Sequence, residues 1–239
     1  MAVVSAARRR GLAQLESEIV SCRACPRLVA WREEVARVKR ASFADQEYWG
    51  RPLPGFGDPA ATVLVLGLAP AAHGGNRTGR IFTGDRSGDW LFGSLHRVGM
   101  ANQAESVSRD DGLKLDGCWV AAAVRCAPPA NRPTPIERDT CLPYAARELE
   151  LLPAVRVIVC LGSFAWDAGL RILVAAGEPT PRPRPRFGHG AEASVGHRIL
   201  LGCYHPSQQN TFTGKLTRPM IDGVMRRARE LGSRSGGDS

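Results

Sequence analysis

The chain has 239 residues and a formal net charge of +9. Apolar residues make up 44% of it, which is enough to build a core and excludes a disordered chain. The positive balance points to a polyanionic partner, nucleic acid or an anionic membrane surface, with an ordinary solvated basic face as the alternative. No apolar stretch is long enough to span a bilayer, which excludes a helical membrane protein.

The N-terminus, MAVVSAARRR, places Arg8, Arg9 and Arg10 after an apolar run too short for a secretory signal, and residues 1–10 are expected to be flexible. Residues 11–40 read as helical, interrupted at Pro26, with Leu28, Val29, Trp31, Val35 and Val38 on one face. Cys22 and Cys25 sit at the interruption. Pro52, Pro54, Gly55, Gly57 and Pro59 then make a rigid connection. Four short, continuously apolar runs follow, at 61–67, 119–124, 155–161 and 198–204. Runs of that kind suit parallel strands buried on both faces. Helical patterns lie between and after them, at 89–98, 136–152, 163–176 and 220–231. The alternation predicts one domain, a three-layer α/β/α sandwich around a four-stranded parallel sheet. Residues 177–197, rich in Pro and Gly and carrying Arg182, Arg184 and Arg186, read as a long surface loop. The end of the chain, 232–239, is expected to be flexible.

The seven cysteines are odd in number and fit a reduced, cytoplasmic compartment better than a disulfide frame. Four of them carry a pattern: Cys22 and Cys25 form C-x2-C, and Cys126 and Cys141 form C-x14-C after a gap of 100 residues. Thiolates so spaced can converge on one metal centre, and the spacing suits zinc about as well as an iron–sulfur cluster. Cys118, Cys160 and Cys203 lie in or beside predicted strands and read as core.

In open α/β sheets the chemistry gathers at the carboxyl ends of the strands. The loop after the first strand is GLAPAAHGGNRTGRIFTGD, residues 67–85, with five glycines. It has neither the G-x4-GK-[ST] of a P-loop nor G-x-G-x-x-G, which argues against a nucleoside triphosphatase and a dinucleotide fold. The loop after the second is RCAPPANRPTP, and the loop after the fourth is HPSQQNTFTGKLT.

These loops, together with CRACPRLVAWREEV and YWGRPLPGFGDP, resemble the family 5 branch of the uracil-DNA glycosylase superfamily over most of residues 20–220. The resemblance implies the α/β/α glycosylase fold and hydrolysis of the N-glycosidic bond of uracil in DNA. It also implies a [4Fe-4S] cluster on Cys22, Cys25, Cys126 and Cys141. A target base must be rotated out of the duplex to be reached. Phe82 is the expected stacking platform, with a core phenylalanine as its plain alternative, and the peptide groups of Gly67, Leu68 and Ala69 are placed to read the base edge. His205, at the head of HPS, is the expected donor to the departing base. The wider superfamily often carries an acid or amide where this chain has Ala69. The resemblance therefore leaves Asp85 to orient water, with Asn131 as its polar partner. The competing reading of Asp85 is a helix N-cap, that of Asn131 a turn residue, and the role of His73 stays open.

Contacts to DNA are expected from Arg77, Arg80, Arg86, Lys215 and Arg218 at phosphates, and from Gln208, Gln209, Asn210 and Phe212 in the gap behind the extruded base. The strand WVAAAV has Ala121, Ala122 and Ala123 where strict uracil readers carry an amide, so hypoxanthine and xanthine are expected substrates too. No motif places a lysine for a Schiff base, so a monofunctional enzyme is expected. A monomer suits a glycosylase, and a cytoplasmic, nucleoid-associated location is expected with that reading. Two other readings remain open: a module that binds damaged or single-stranded DNA without turnover, and a metal centre used for redox.

Overall fold

The structure is a computed structural model and describes residues 4–233. Residues 1–3 and 234–239 lie outside the described residues, and so does the expectation of flexible ends at those positions. Helix α1 (Ala6–Ser21) begins within the stretch expected to be flexible, because Ser5 caps it by accepting a hydrogen bond from Arg8 N. Helix α2 (Pro26–Val38) follows, with Pro26 at its first turn, where the missing N–H has no helical partner to lose. Cys22 and Cys25 thus become the end of one helix and the start of the next.

The four apolar runs form the centre of the sheet as β2 (Val63–Gly67), β3 (Cys118–Ala122), β4 (Val157–Leu161) and β6 (Arg198–Cys203), all parallel in the spatial order β3-β2-β4-β6. Every residue of β2, β3 and β4 is buried. Two antiparallel edge strands bring the sheet to six and extend the four-stranded expectation. β1 (Phe56–Gly57) pairs with β3, and β5 (Glu192–Val195) pairs with β6.

The loop expected at 177–197 is therefore only partly a loop. Besides contributing β5, it folds back on the sheet: Trp166 Nε1 donates to Pro185 O at 3.1 Å, and Phe187 packs between Trp166 and Tyr204. Arg184 pairs with Asp167, which removes it from the cations free for a phosphate.

Short helix α3 (Gly75–Thr78) sits in the long loop after β2. The remaining helices are α4 (Arg86–Arg97), α5 (Pro135–Glu150), α6 (Ser163–Ala175), α7 (Gln208–Phe212) and α8 (Arg218–Ser233). The period of two along each strand divides the core. Val63, Val65, Val157 and Val159 face α4 and α8 through Leu91, Leu95, Ile221 and Met225. Leu64, Leu66, Ile158 and Cys160 face α5 and α6 through Leu149, Trp166 and Leu173. Cys118, Cys160 and Cys203 are fully buried core residues.

A buried ion pair holds the loop after β3 to α5. Arg125 Nη2 lies 2.6 Å from Glu148 Oε2, with the two residues 2% and 3% exposed. Glu148 Oε1 also accepts from Gly55 N at 3.1 Å. Replacing Glu148 by alanine strands the Arg125 charge in the interior. Urea denaturation of Glu148→Ala should show a loss of roughly 3–5 kcal/mol, as for other buried pairs broken on one side.

Candidate active site

A cavity of about 910 Å³ opens at the carboxyl ends of the parallel strands. Each strand contributes the residues that follow it. Leu68 and Ala69 come after β2, Asn131 after β3, Gly162 and Phe164 after β4, and His205, Gln208, Gln209 and Asn210 after β6. Phe82 and Asp85, from the far end of the loop after β2, complete one wall, and Lys215 lines the cavity too.

Phe82 is 5% exposed and belongs to the core cluster, and it also lines the cavity. Its φ of 54° is left-handed, a conformation that costs a residue with a β-carbon about 1–2 kcal/mol. The ring lies against Gly67, where an added β-carbon would fall 2.6 Å from Phe82 Cζ. Gly67 is thus the floor beneath the ring rather than a lining residue. The carbonyls of Gly67 and Leu68 accept from Ala123 N and Val124 N, both at 3.0 Å, so these acceptors already serve the strand ends. Ala69 makes no backbone hydrogen bond among the described residues, which leaves its peptide group available to a ligand.

Asp85 is a helix cap that also lines the cavity. Its Oδ1 accepts from Gly88 N at 3.0 Å and caps α4, while the carboxylate faces the cavity. Gly74 allows this closeness, since a β-carbon there would sit 2.1 Å from Asp85 Oδ2. Burial pushes the Asp85 carboxyl above its ordinary range against the pull of the Gly88 and Ser87 amides. Burial also lowers the His205 imidazole to about 4, so the ring is neutral at neutral pH. His205 and Phe82 lie 6.2 Å apart between ring centroids. Asn131 is exposed in a short turn, with both it and Ala130 left-handed, so it shapes the turn and lines the cavity at once. His73 lines the cavity as well, its Nδ1 3.0 Å from Tyr48 Oη.

Three of the residues expected at DNA are engaged elsewhere. Arg80 is 7% exposed and bound to Asp111 and Ser106, each at 2.7 Å, so it is an internal tie and not a phosphate contact. Arg77 uses its donors on His73 O, Gly84 O and Gln46, and stacks over Phe43 at 4.0 Å. Asn210 Nδ2 donates to His205 O at 2.9 Å, so it fixes the histidine loop instead of reaching into a duplex. Gln208, Gln209, Lys215, Arg86 and Arg218 are exposed near the cavity, as is Phe212, with the Arg86 guanidinium 4.2 Å over its ring.

The sequence reading missed Arg40, which lines the cavity from the end of α2, and Gly162 and Phe164 after β4. The strand-end rule applied to β4 would have found the latter two. Ala121, Ala122 and Ala123 are buried in the sheet and do not line the cavity, so they cannot widen it directly.

The four patterned cysteines line one small enclosed pocket with Leu28, Arg125 and Tyr144. None is in a disulfide. Burial pushes the Cys126 thiol up to about 12 and raises Cys25 and Cys141. Arg32 Nη1 donates to Cys126 Sγ at 2.9 Å. Among the described residues no group of three or more His, Cys, Asp or Glu side chains is close enough to hold a single metal ion. As a donor set, four sulfurs in one apolar pocket with a cation against one of them fit a thiolate-bound group.

The sequence model of the uracil DNA glycosylase superfamily matches residues 54–229. The chain is 56% identical over 222 residues to the type-5 uracil-DNA glycosylase of Mycobacterium bovis, covering 92% of this chain and 81% of that protein. Against the type-5 uracil-DNA glycosylase of Mycobacterium leprae it is 54% identical, covering 91% and 94%. Against that of Thermus thermophilus it is 51% identical, covering 89% and 94%.

The left-handed Phe82 gives a sharp test of the wall. Phe82→Gly and Phe82→Ala lose the same ring, but only glycine adopts the backbone without strain. Urea denaturation should find Phe82→Gly the more stable of the two by about 1 kcal/mol, the reverse of the usual order.

Proposed function

The chain belongs to the type-5 branch of the uracil DNA glycosylase superfamily, and from that membership and the cavity we propose that it excises uracil from DNA by hydrolysis, leaving an abasic site. The observation that carries the reading is a neutral, half-buried His205 on the same cavity as a half-buried Asp85 and the Phe82 ring.

The substrate nucleotide is rotated out of the duplex, at a cost of about a few kcal/mol. Stacking on Phe82 offsets roughly 1–3 kcal/mol of that. As the bond between the sugar C1′ and the base nitrogen breaks, its electron pair goes to the base. A neutral imidazole supplies one N–H, and His205 aims it at the base oxygen where the charge develops. Asp85 faces the cationic sugar and orients a water. The water oxygen bonds to C1′, and its proton passes to the carboxylate or to the released base. A carboxyl pushed up by burial is a better proton acceptor than an exposed one. Ala69 offers its free peptide group to the base edge. Lys215, Arg86 and Arg218 contact phosphates, and the exposed Gln208, Gln209 and Phe212 fill the gap in the duplex. Lys215 Nζ lies over the Tyr204 ring at 5.0 Å, and no lyase step is assigned to it.

Hypoxanthine and xanthine enter the same reading. The cavity is roomy, and the backbone of Ala69 lines it without a hydrogen-bond partner among the described residues.

For the cysteine pocket we propose a [4Fe-4S] cluster on Cys22, Cys25, Cys126 and Cys141. Four sulfurs lining one small pocket suit such a group as a donor set. Such a group cross-links the α1–α2 junction to the loop after β3 and to α5, and so serves structure. Purified protein should contain about four irons per chain, with the visible absorption of a cluster. Cys126→Ala should lose both and melt at lower temperature; a full complement of zinc in their place contradicts the assignment.

The excision reading is tested by single-turnover cleavage of duplexes holding one uracil or one hypoxanthine. Both should give abasic product. His205→Ala should slow the uracil reaction by about 10²–10³-fold and Asp85→Ala by about 10²–10⁴-fold. The wild-type rate should fall on acidification as Asp85 takes up its proton, at a pH above the usual carboxylate range. Intact binding of damaged duplex without any abasic product would instead favour a module that recognises DNA without turnover. Intact hypoxanthine beside cleaved uracil would remove the broad specificity alone.

A further inference from the structure

We propose that Asn76 and Arg32 are positioning residues that hold Asp85 in place by tying its loop to the cysteine pocket. The inference rests on the excision reading for the role of Asp85.

Arg32 is 2% exposed and joins two cysteine-bearing segments through one guanidinium. Its Nη1 donates to Cys126 Sγ at 2.9 Å, and its Nη2 donates to Cys22 O at 3.1 Å. The main chain of the same residue reaches the other way. Arg32 O accepts from Asn76 Nδ2 at 3.1 Å, and Asn76 is fully buried on α3.

Helix α3 is the cradle of the Asp85 loop. Arg77 Nη2 donates to Gly84 O at 3.0 Å, Thr78 Oγ1 donates to Thr83 O at 3.2 Å, and Gly74 backs directly onto the carboxylate. A chain of direct contacts therefore runs from Cys126 through Arg32 and Asn76 to the residues that flank Asp85. Asn76 Oδ1 is buried without a hydrogen-bond partner. A fold that keeps an amide there at such a cost retains it for the donor half, which is the half that holds Arg32.

The test compares wild type, Asn76→Ala, Arg32→Met, the double variant and Arg32→Lys in the full chain. Three quantities are read: the single-turnover rate on a uracil duplex, the Kd for the abasic product duplex, and amide hydrogen exchange at residues 83–88. Asn76→Ala should slow the chemical step roughly ten- to a hundredfold, as small misplacements of a reacting group do, with product Kd unchanged. Exchange at 83–88 should quicken by about tenfold or more while β2 and β4 stay protected. Arg32→Met should act on the same step, the double variant should be less impaired than the product of the two single effects, and Arg32→Lys should recover part of the rate.

Asn76→Ala with wild-type exchange at 83–88 overturns the proposal, whatever the activity. So does a double variant whose effects simply multiply. Wild-type protein that excises no uracil defeats the excision reading instead, and the exchange comparison still decides whether Asn76 holds the loop.

Discussion

The whole molecule depends on a parallel sheet from which water is excluded on both faces. Every residue of β2, β3 and β4 is buried, with α4 and α8 packed on one side and α5 and α6 on the other. Polar chemistry can then emerge only where the strands stop. The loops after β2, β3, β4 and β6 all meet in one cavity, and Asp85 and His205 lie half-buried in its wall. Their desolvation moves Asp85 up and His205 down. The same desolvation thus makes the carboxyl more basic and keeps the imidazole neutral. For His205 no charged neighbour adds to the shift.

Close approach supplies the rest of the site. The Phe82 ring rests on Gly67, and the Asp85 carboxylate rests on Gly74, at separations that a β-carbon would occupy. The strain in Phe82 is sustained by a loop that is hydrogen-bonded at many points, including Arg77 to Gly84 and Thr78 to Thr83. Two arginines near the site, Arg77 and Arg80, are spent on building this loop, and a third, Arg125, on anchoring the loop after β3. The basic character of the chain is therefore partly internal, while the exposed Arg40, Arg86 and Lys215 line the cavity.

The central strands and most helices were legible because a strand buried on both faces must be continuously apolar, and the runs at 61–67, 119–124, 155–161 and 198–204 are. The edge strands were not. Phe56–Gly57 is two residues among prolines, and Glu192–Val195 is mostly exposed, so neither carries a period. The cavity residues Phe82, Asp85, Asn131 and His205 were legible as motif positions at strand ends. The fate of Arg77, Arg80 and Asn210 was not, because a sequence does not tell a side chain that points to solvent from one that satisfies a buried carbonyl or carboxylate. Arg40 escaped because it reaches the cavity from a helix end remote in sequence from every loop motif. The convergence of Cys22, Cys25, Cys126 and Cys141 followed from spacing alone, even though 100 residues separate the two pairs.

The central claim is that burial in the cavity wall, and not a charge partner, keeps the His205 imidazole neutral. The most direct measurement is ¹⁵N NMR of the His205 imidazole across the neutral and mildly acidic range, in free protein and with abasic duplex bound. The account predicts a neutral ring throughout, with protonation only as the pH approaches 4. A ring that titrates near its ordinary value of about 6.5 would contradict it.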